Sequence, residues 1–393
     1  MSTLLRFPPV YTAVQWSAIA DAAWTTASGS GKRGVRRAAE MLEERYHDRR
    51  ALLTDSGTSA LTLALRMSTS GTPPSNIVAL PGYACPDIAT AAIGAGFRIV
   101  LYDVDQDTLE PITASVRRCL QQGATHLVVV HLYGRLVNVT PFAAMAMEFG
   151  ATLIEDAAQS AWGLHQRARG PNIAPFAVVS FGRGKGVNAG GGGALLMHAA
   201  VADADPLPPV SASSAWKSLV VTAASELLSA PWLYAIPAAV PALGVGQTVY
   251  HDPQPARSMS APCVRLLRNA LEQENSVAAA RRVHAARYRA ALATNRALLF
   301  TEGDGSTDGA LRFPVRLERE PSPTLARLGV SRSYPRTLLD YPAVQRHLTS
   351  TPDDLTGSRQ LAASTYTLPT HSRIDEPTRD AILRQLRLGD GQR

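Results

Sequence analysis

Cysteine is scarce in this chain. Its 393 residues hold three, Cys85, Cys119 and Cys263, far apart and outside any Cys-x-x-Cys or Cys/His spacing. Neither a disulfide framework nor a zinc site follows, no metal is expected, and a reducing cytoplasm is the default compartment. Aromatic residues are few as well, at 6%. The formal net charge is +7, but the arginines behind it are spread along the chain, and no basic stripe with interleaved aromatics forms. That pattern argues against a nucleic-acid partner and favours anionic small molecules as ligands. The N-terminus lacks a cationic segment leading into an apolar run of signal-peptide length, so export by that route is not expected. Internal repeats and low-complexity tracts are also missing.

Charge itself is missing from one stretch: between residues 219 and 245 only Glu226 is charged. Trp232, Leu233 and Tyr234 lie near its centre. Pro231, Pro237 and Pro241 interrupt any straight helix there and Glu226 would be costly in lipid, which argues against a membrane span. Burial in a subunit interface or domain junction is expected, with peripheral membrane contact as the alternative.

What remains describes an ordinary globular protein, 46% hydrophobic and 18% charged, long enough for two domains, drawn here at 1–250 and 251–393. Short aliphatic runs at 77–80, 98–102, 126–130 and 152–154 alternate with helix-like segments at 87–95, 112–122 and 140–149. This alternation predicts an α/β fold with a mainly parallel central sheet and helices on both faces. Ligands of such a sheet bind at the carboxyl ends of its strands, where Asp156 and Lys185 fall. Residues 201–214 read as a loop. A long helix is expected over 261–292, and a strand over 311–317 within a smaller C-terminal α+β domain.

The most informative motif is Ser180-Phe181-Gly182-Arg183-Gly184-Lys185, followed by the glycines 190–193. A lysine between an apolar strand and a glycine-rich turn is placed like an amine that forms a Schiff base, although a lone Gly-x-Gly-Lys is also what a solvated loop cation looks like. Upstream, Ser56-Gly57-Thr58-Ser59 opens a helix, gathering amides and hydroxyls where the macrodipole is positive; it reads as an anion cradle or as a simple N-cap. Glu155 and Asp156 end a strand and point to opposite sides, so one can face a ligand. Gly29-Ser30-Gly31-Lys32 imitates a P-loop but lacks the Ser or Thr after the lysine and any leading strand, so it is rejected.

In this order, the three signals resemble the DegT/DnrJ/EryC1/StrS group of pyridoxal-phosphate sugar aminotransferases. The matching residues are Ser56–Leu61, Pro81–Gly96, Asp103-Val104-Asp105, His131-Leu132-Tyr133-Gly134, Glu155–Gln159 and Ser180–Lys185 with the glycines after it. The resemblance implies the type I fold of pyridoxal-phosphate-dependent transferases and pyridoxal 5′-phosphate as cofactor. Lys185 would form the Schiff base and Asp156 would pair with the pyridinium nitrogen. Gln159 would sit near the ring hydroxyl, and Gly57, Thr58 and Ser180 would hold the phosphate. The implied reaction moves an amino group from glutamate or glutamine to a keto sugar, typically nucleotide-linked, or a related ketone. A cytoplasmic homodimer is also implied. Two alternatives remain: a pyridoxal-phosphate-binding regulatory protein without turnover, and a membrane-associated aminotransferase using a lipid-linked acceptor. The chain departs from its relatives where Cys85 replaces an aromatic residue that stacks on the cofactor ring: the polarisable sulfur of Cys85 could pack against the cofactor there, or Tyr83 could substitute. It departs again at Gly182-Arg183-Gly184, expected to make the turn more flexible and to add a cation; Arg183 reads as a solvated side chain first, and as a partner for an acidic substrate group second.

Overall fold

The computed structural model describes residues 5–28, 32–47, 49–69, 76–167, 174–201, 205–238, 248–301, 309–350 and 355–390. Residues 29–31 of the rejected P-loop imitation, 202–204 of the expected loop and 239–245 of the apolar stretch lie outside these.

Seven strands form the main sheet: β1 (Arg49–Thr54), β2 (Ile77–Pro81), β3 (Arg98–Tyr102), β4 (His126–Val130), β5 (Thr152–Asp156), β6 (Phe176–Ser180) and β7 (Gly193–His198). Their order is β1-β7-β6-β5-β4-β2-β3. Strand β7 runs antiparallel to both its neighbours, and the other pairs are parallel. The strands read as near-continuous aliphatic runs because both faces are covered. Their alternate residues enter different cores. Val78, Leu80, Ile99 and Val178 pack under α3 (Gly57–Met67) and α4 (Asp87–Gly94). Ala79, Val100, Leu127 and Leu153 face α5 (Thr113–Gln121) and α6 (Thr140–Glu148). At the other end, Ala177, Val179 and Leu196 meet α1 (Trp16–Ala27), α2 (Lys32–Arg45) and α7 (Ala161–Arg167).

After β7 come α8 (Ala212–Leu228), the short α9 (Ala235–Ala238) and the 32-residue α10 (Ala261–Leu292). The first half of α10 joins the core under β6 and β7 through Cys263, Leu266, Leu267 and Leu271. Its second half supplies Ala285, Tyr288 and Leu292 to the core of a small antiparallel sheet, β8 (Phe313–Arg316), β10 (Thr365–Leu368) and β9 (Ser331–Arg332). The helix thus belongs to both cores and fixes the small sheet against the large one. The expected strand at 152–154 extends to Asp156, because Glu155 and Asp156 pair with β4 and β6. Helix α8 begins at Ala212, inside the segment read as a loop, with Ser211 capping the Ser214 amide.

Candidate active site

The carboxyl ends of the parallel strands open into a cavity of about 310 Å³, a size that holds a small-molecule ligand. It is lined by Gly57, Thr58, Cys85, Asp156, Gln159, Ser180, Arg183 and Lys185, together with Asp55, Asp87, His131 and Tyr334. Strand and helix ends deliver several of these groups. Asp156 is the last residue of β5 and Ser180 the last of β6; Gly57 and Thr58 open α3.

At the α3 end, Ser56 Oγ caps the Ser59 amide at 3.0 Å, and the first-turn amides have no partner within the helix. A Cβ on Gly57 would stand 2.9 Å from Ser180 Cβ and 3.2 Å from its Oγ. Only glycine lets the positive helix end approach the hydroxyl so closely, an arrangement suited to an anion.

Asp156 is buried, and its Oδ1 accepts a 2.9 Å bond from the Ala158 amide. Burial raises its pKa, opposed by that amide and by the positive charge of Lys185. A cation beside it, such as a protonated ring nitrogen, would favour the ionised form. Glu155 points the other way, as strand alternation requires. It accepts from His131 Nε2 at 2.9 Å and from Arg167, and these partners hold its pKa down to about 2 against burial.

Gln159 is fixed at both ends of its amide: Oε1 accepts from the Tyr133 amide at 2.9 Å and Nε2 donates to the Tyr334 hydroxyl. Tyr133 holds a left-handed φ of 60° to do so; such strain is characteristic of functional positions.

Two sequence expectations are corrected. Tyr83 does not line the cavity; its ring is fully buried, its hydroxyl lies 2.7 Å from that of Tyr133, and it meets Tyr334 edge-on at 5.5 Å. Tyr334, from the loop after β9, forms the aromatic wall in its place. The lysine turn, in turn, is clamped. Gly184 takes φ 76°, where a Cβ would meet Val10 at 2.6 Å. Thr12 Oγ1 donates to the Lys185 carbonyl at 2.6 Å, Asn188 Nδ2 to the Thr12 carbonyl at 2.8 Å, and Arg281 to Tyr11 O at 2.9 Å. Arg183 is exposed at the cavity rim and donates to Ser225 Oγ at 3.3 Å. Cys85 does line the cavity. Burial, reinforced by Asp87 and opposed by Lys185, pushes its thiol up to about 12, so it stays neutral and packs as a small apolar group.

An amine, a carboxylate, an oriented amide and a helix-end cradle in one cavity fit pyridoxal phosphate in every part: aldehyde, ring nitrogen, ring hydroxyl and phosphate.

Residues 14–202 match the model of the DegT/DnrJ/EryC1/StrS aminotransferase family. Among curated proteins, the chain is 30% identical over 145 residues to the L-glutamine:2-deoxy-scyllo-inosose aminotransferase of Streptoalloteichus tenebrarius, 37% of this chain and 34% of that protein. The match therefore spans about a third of that relative's length. Over nearly the whole chain, the fold matches the sugar aminotransferase CalS13 from Micromonospora echinospora, with a TM-score of 0.73 at 17% identity over 98% of this chain and 100% of that one. It also matches the E. coli GDP-4-keto-6-deoxy-D-mannose-3-dehydratase, solved with hydrated pyridoxal phosphate, with a TM-score of 0.71 at 11% identity over 97% and 99%. At these identities the likeness to the two solved structures is one of fold, the type I fold of pyridoxal-phosphate-dependent transferases.

Proposed function

From the match of residues 14–202 to the DegT/DnrJ/EryC1/StrS aminotransferase family we propose that this chain is a pyridoxal 5′-phosphate-dependent aminotransferase of that family, which transfers an amino group from glutamine or glutamate to a keto sugar or a related cyclic keto polyol. It does so as a cytoplasmic homodimer. One observation carries the reading: Lys185, Asp156, Gln159 and the Gly57–Thr58 helix end line a single cavity. The amination of an inosose by one relative supports the acceptor class.

When bound, the cofactor supplies an electron sink for negative charge at the donor α-carbon. The chain's own groups do the rest. Lys185 Nζ would hold the aldehyde carbon, and its free amine would serve as general base and acid for the donor α-carbon proton. Asp156 would keep a proton on the ring nitrogen. Gln159, fixed by Tyr133 and Tyr334, would orient the ring through its hydroxyl. Ser180 and the α3 end would hold the phosphate, and the clamp on the Lys185 carbonyl fixes the depth of the amine in the cavity.

The test is the visible absorbance of the purified protein with cofactor. A band lost in Lys185→Ala, bleached by L-glutamine or L-glutamate and restored by keto sugars or keto-inositols is expected. A band that survives in Lys185→Ala and is still reducible onto another lysine refutes the assignment. A band the donors never bleach supports a regulatory protein without turnover instead.

A further inference from the structure

Four of the chain's five tryptophans are exposed, although tryptophan is among the more buried residue types on average. Two of them stand on one continuous stretch of chain after β7. Helix α8 buries Ala215, Leu219 and Thr222 against the body and turns Trp216, Val220 and Leu227 outward, 42%, 63% and 54% exposed. The chain then turns directly into α9, leaving Trp232 and Ile236 67% and 58% exposed. The other exposed pair, Trp16 and Trp24, sits on α1, which packs alongside α8.

The charge around this apolar face is one-sided. Between residues 212 and 238 the charged residues are Lys217 and Glu226. Lys217 is exposed. Glu226 is turned inward, where it accepts from Tyr11 and from the Val14 amide at 3.0 Å and pairs with Arg373 at 3.3 Å. The neighbouring chain adds Arg6, whose backbone bonds to Pro231 at 2.9 Å in the turn between α8 and α9. An apolar, tryptophan-bearing face edged by cations with its acid withdrawn has the chemistry of a helix lying in the headgroup region of an anionic bilayer. Among the described residues no helix is long and apolar enough to cross a membrane, so contact would be peripheral.

We propose that the outward face of α8 and α9 docks this protein onto membranes containing anionic phospholipid. Tryptophan and the aliphatic side chains enter the headgroup boundary while Lys217 and Arg6 face the lipid phosphates. The inference does not depend on the aminotransferase reading, and its test uses no turnover.

Full-length holoprotein is floated with vesicles of phosphatidylcholine alone and of phosphatidylcholine with phosphatidylglycerol. Binding to the anionic vesicles only, weakened by added salt, is expected. Trp232→Ser with Ile236→Ser should lower it at least about tenfold through lost apolar burial, and Lys217→Glu by about fivefold or more. These positions are exposed, so melting temperature and native mass should not change. Wild-type protein that fails to float with anionic vesicles overturns the proposal. So does a drop in native mass in the Trp232/Ile236 variant, which would make this face a contact between two copies of the chain.

Discussion

Gly57→Ala isolates the phosphate cradle from the rest of the site. Alanine suits a helix start better than glycine, so intrinsic propensity predicts a neutral or slightly stabilising change. The local geometry predicts the opposite for ligand binding. The new Cβ would sit 2.9 Å from Ser180 Cβ, and neither atom is the free end of a flexible side chain, so the start of α3 must move away from β6. Overpacking of this kind costs about 1–3 kcal/mol, and the shift misaims the amides at the anion. Cofactor affinity should therefore fall by about tenfold or more, equivalent to about 1.4 kcal/mol. Ser180→Gly provides the control, since it removes the atom that collides. In that background Gly57→Ala should cost less than about 0.5 kcal/mol, giving a coupling near 1 kcal/mol in the double-mutant cycle. Titration of apoprotein with pyridoxal phosphate, followed by absorbance, reads all four affinities. Equal penalties in the two backgrounds would refute the steric argument, and an unchanged affinity in the single variant would remove the cradle from the site.

Other perturbations probe the surroundings. Tyr334→Phe frees the Gln159 amide nitrogen, so the cofactor absorbance maximum should shift and kcat/KM fall by about tenfold or less, with kcat and KM measured separately; an unchanged spectrum would argue against the contact. Gly184→Ala combines a left-handed φ of 76° with a 2.6 Å approach to Val10 and should cost about 2–4 kcal/mol by denaturant unfolding; a loss below about 0.5 kcal/mol would mean that the N-terminal segment does not press on the turn. Acidification should destabilise the fold between the ordinary histidine value and about pH 4. Burial lowers His126 to about 4 and His371 to about 3, so in that window the unfolded chain binds more protons and stability falls with pH. The slope is up to about 1.4 kcal/mol per pH unit for each histidine. His371→Gln should flatten it, and an unaltered slope would assign the loss to other groups.

The strands could be read from sequence because each is covered on both faces and so carries a continuous aliphatic run. The segments at 98–102 and 126–130 coincide with β3 and β4. The residues assigned to the site share a related property. Gly57, Asp156, Gln159, Ser180 and Lys185 sit at or just past element ends, where a local motif records what the backbone does. Tyr334 carried no such signal. It reaches the cavity only because α10 spans both cores and fixes the small sheet, a long-range consequence that no local pattern encodes. The clamp by residues 10–12 was equally illegible, since that segment lacks regular structure and its partners, Lys185, Asn188 and Arg281, are scattered through the chain.

The burial of Tyr83 shows how the aromatic contribution is arranged. With Cys85 where relatives stack an aromatic ring, a nearby tyrosine is the natural substitute, but β2 ends at Pro81 and strand alternation no longer governs where residues 83 and 85 point. Tyr83 turns inward and becomes a buttress. It meets the Tyr334 ring edge-on, while Tyr133 stacks on the same ring at 6.4 Å and donates its amide to Gln159. The aromatic wall of the cavity is therefore supplied by the small-sheet side of the molecule and supported by the large one. A change in how the two pack would displace the wall and the Gln159 amide together. Substitutions along α10 that leave the lysine turn intact should consequently alter cofactor spectrum and acceptor preference in parallel, because one tyrosine touches both the cavity and the Gln159 amide.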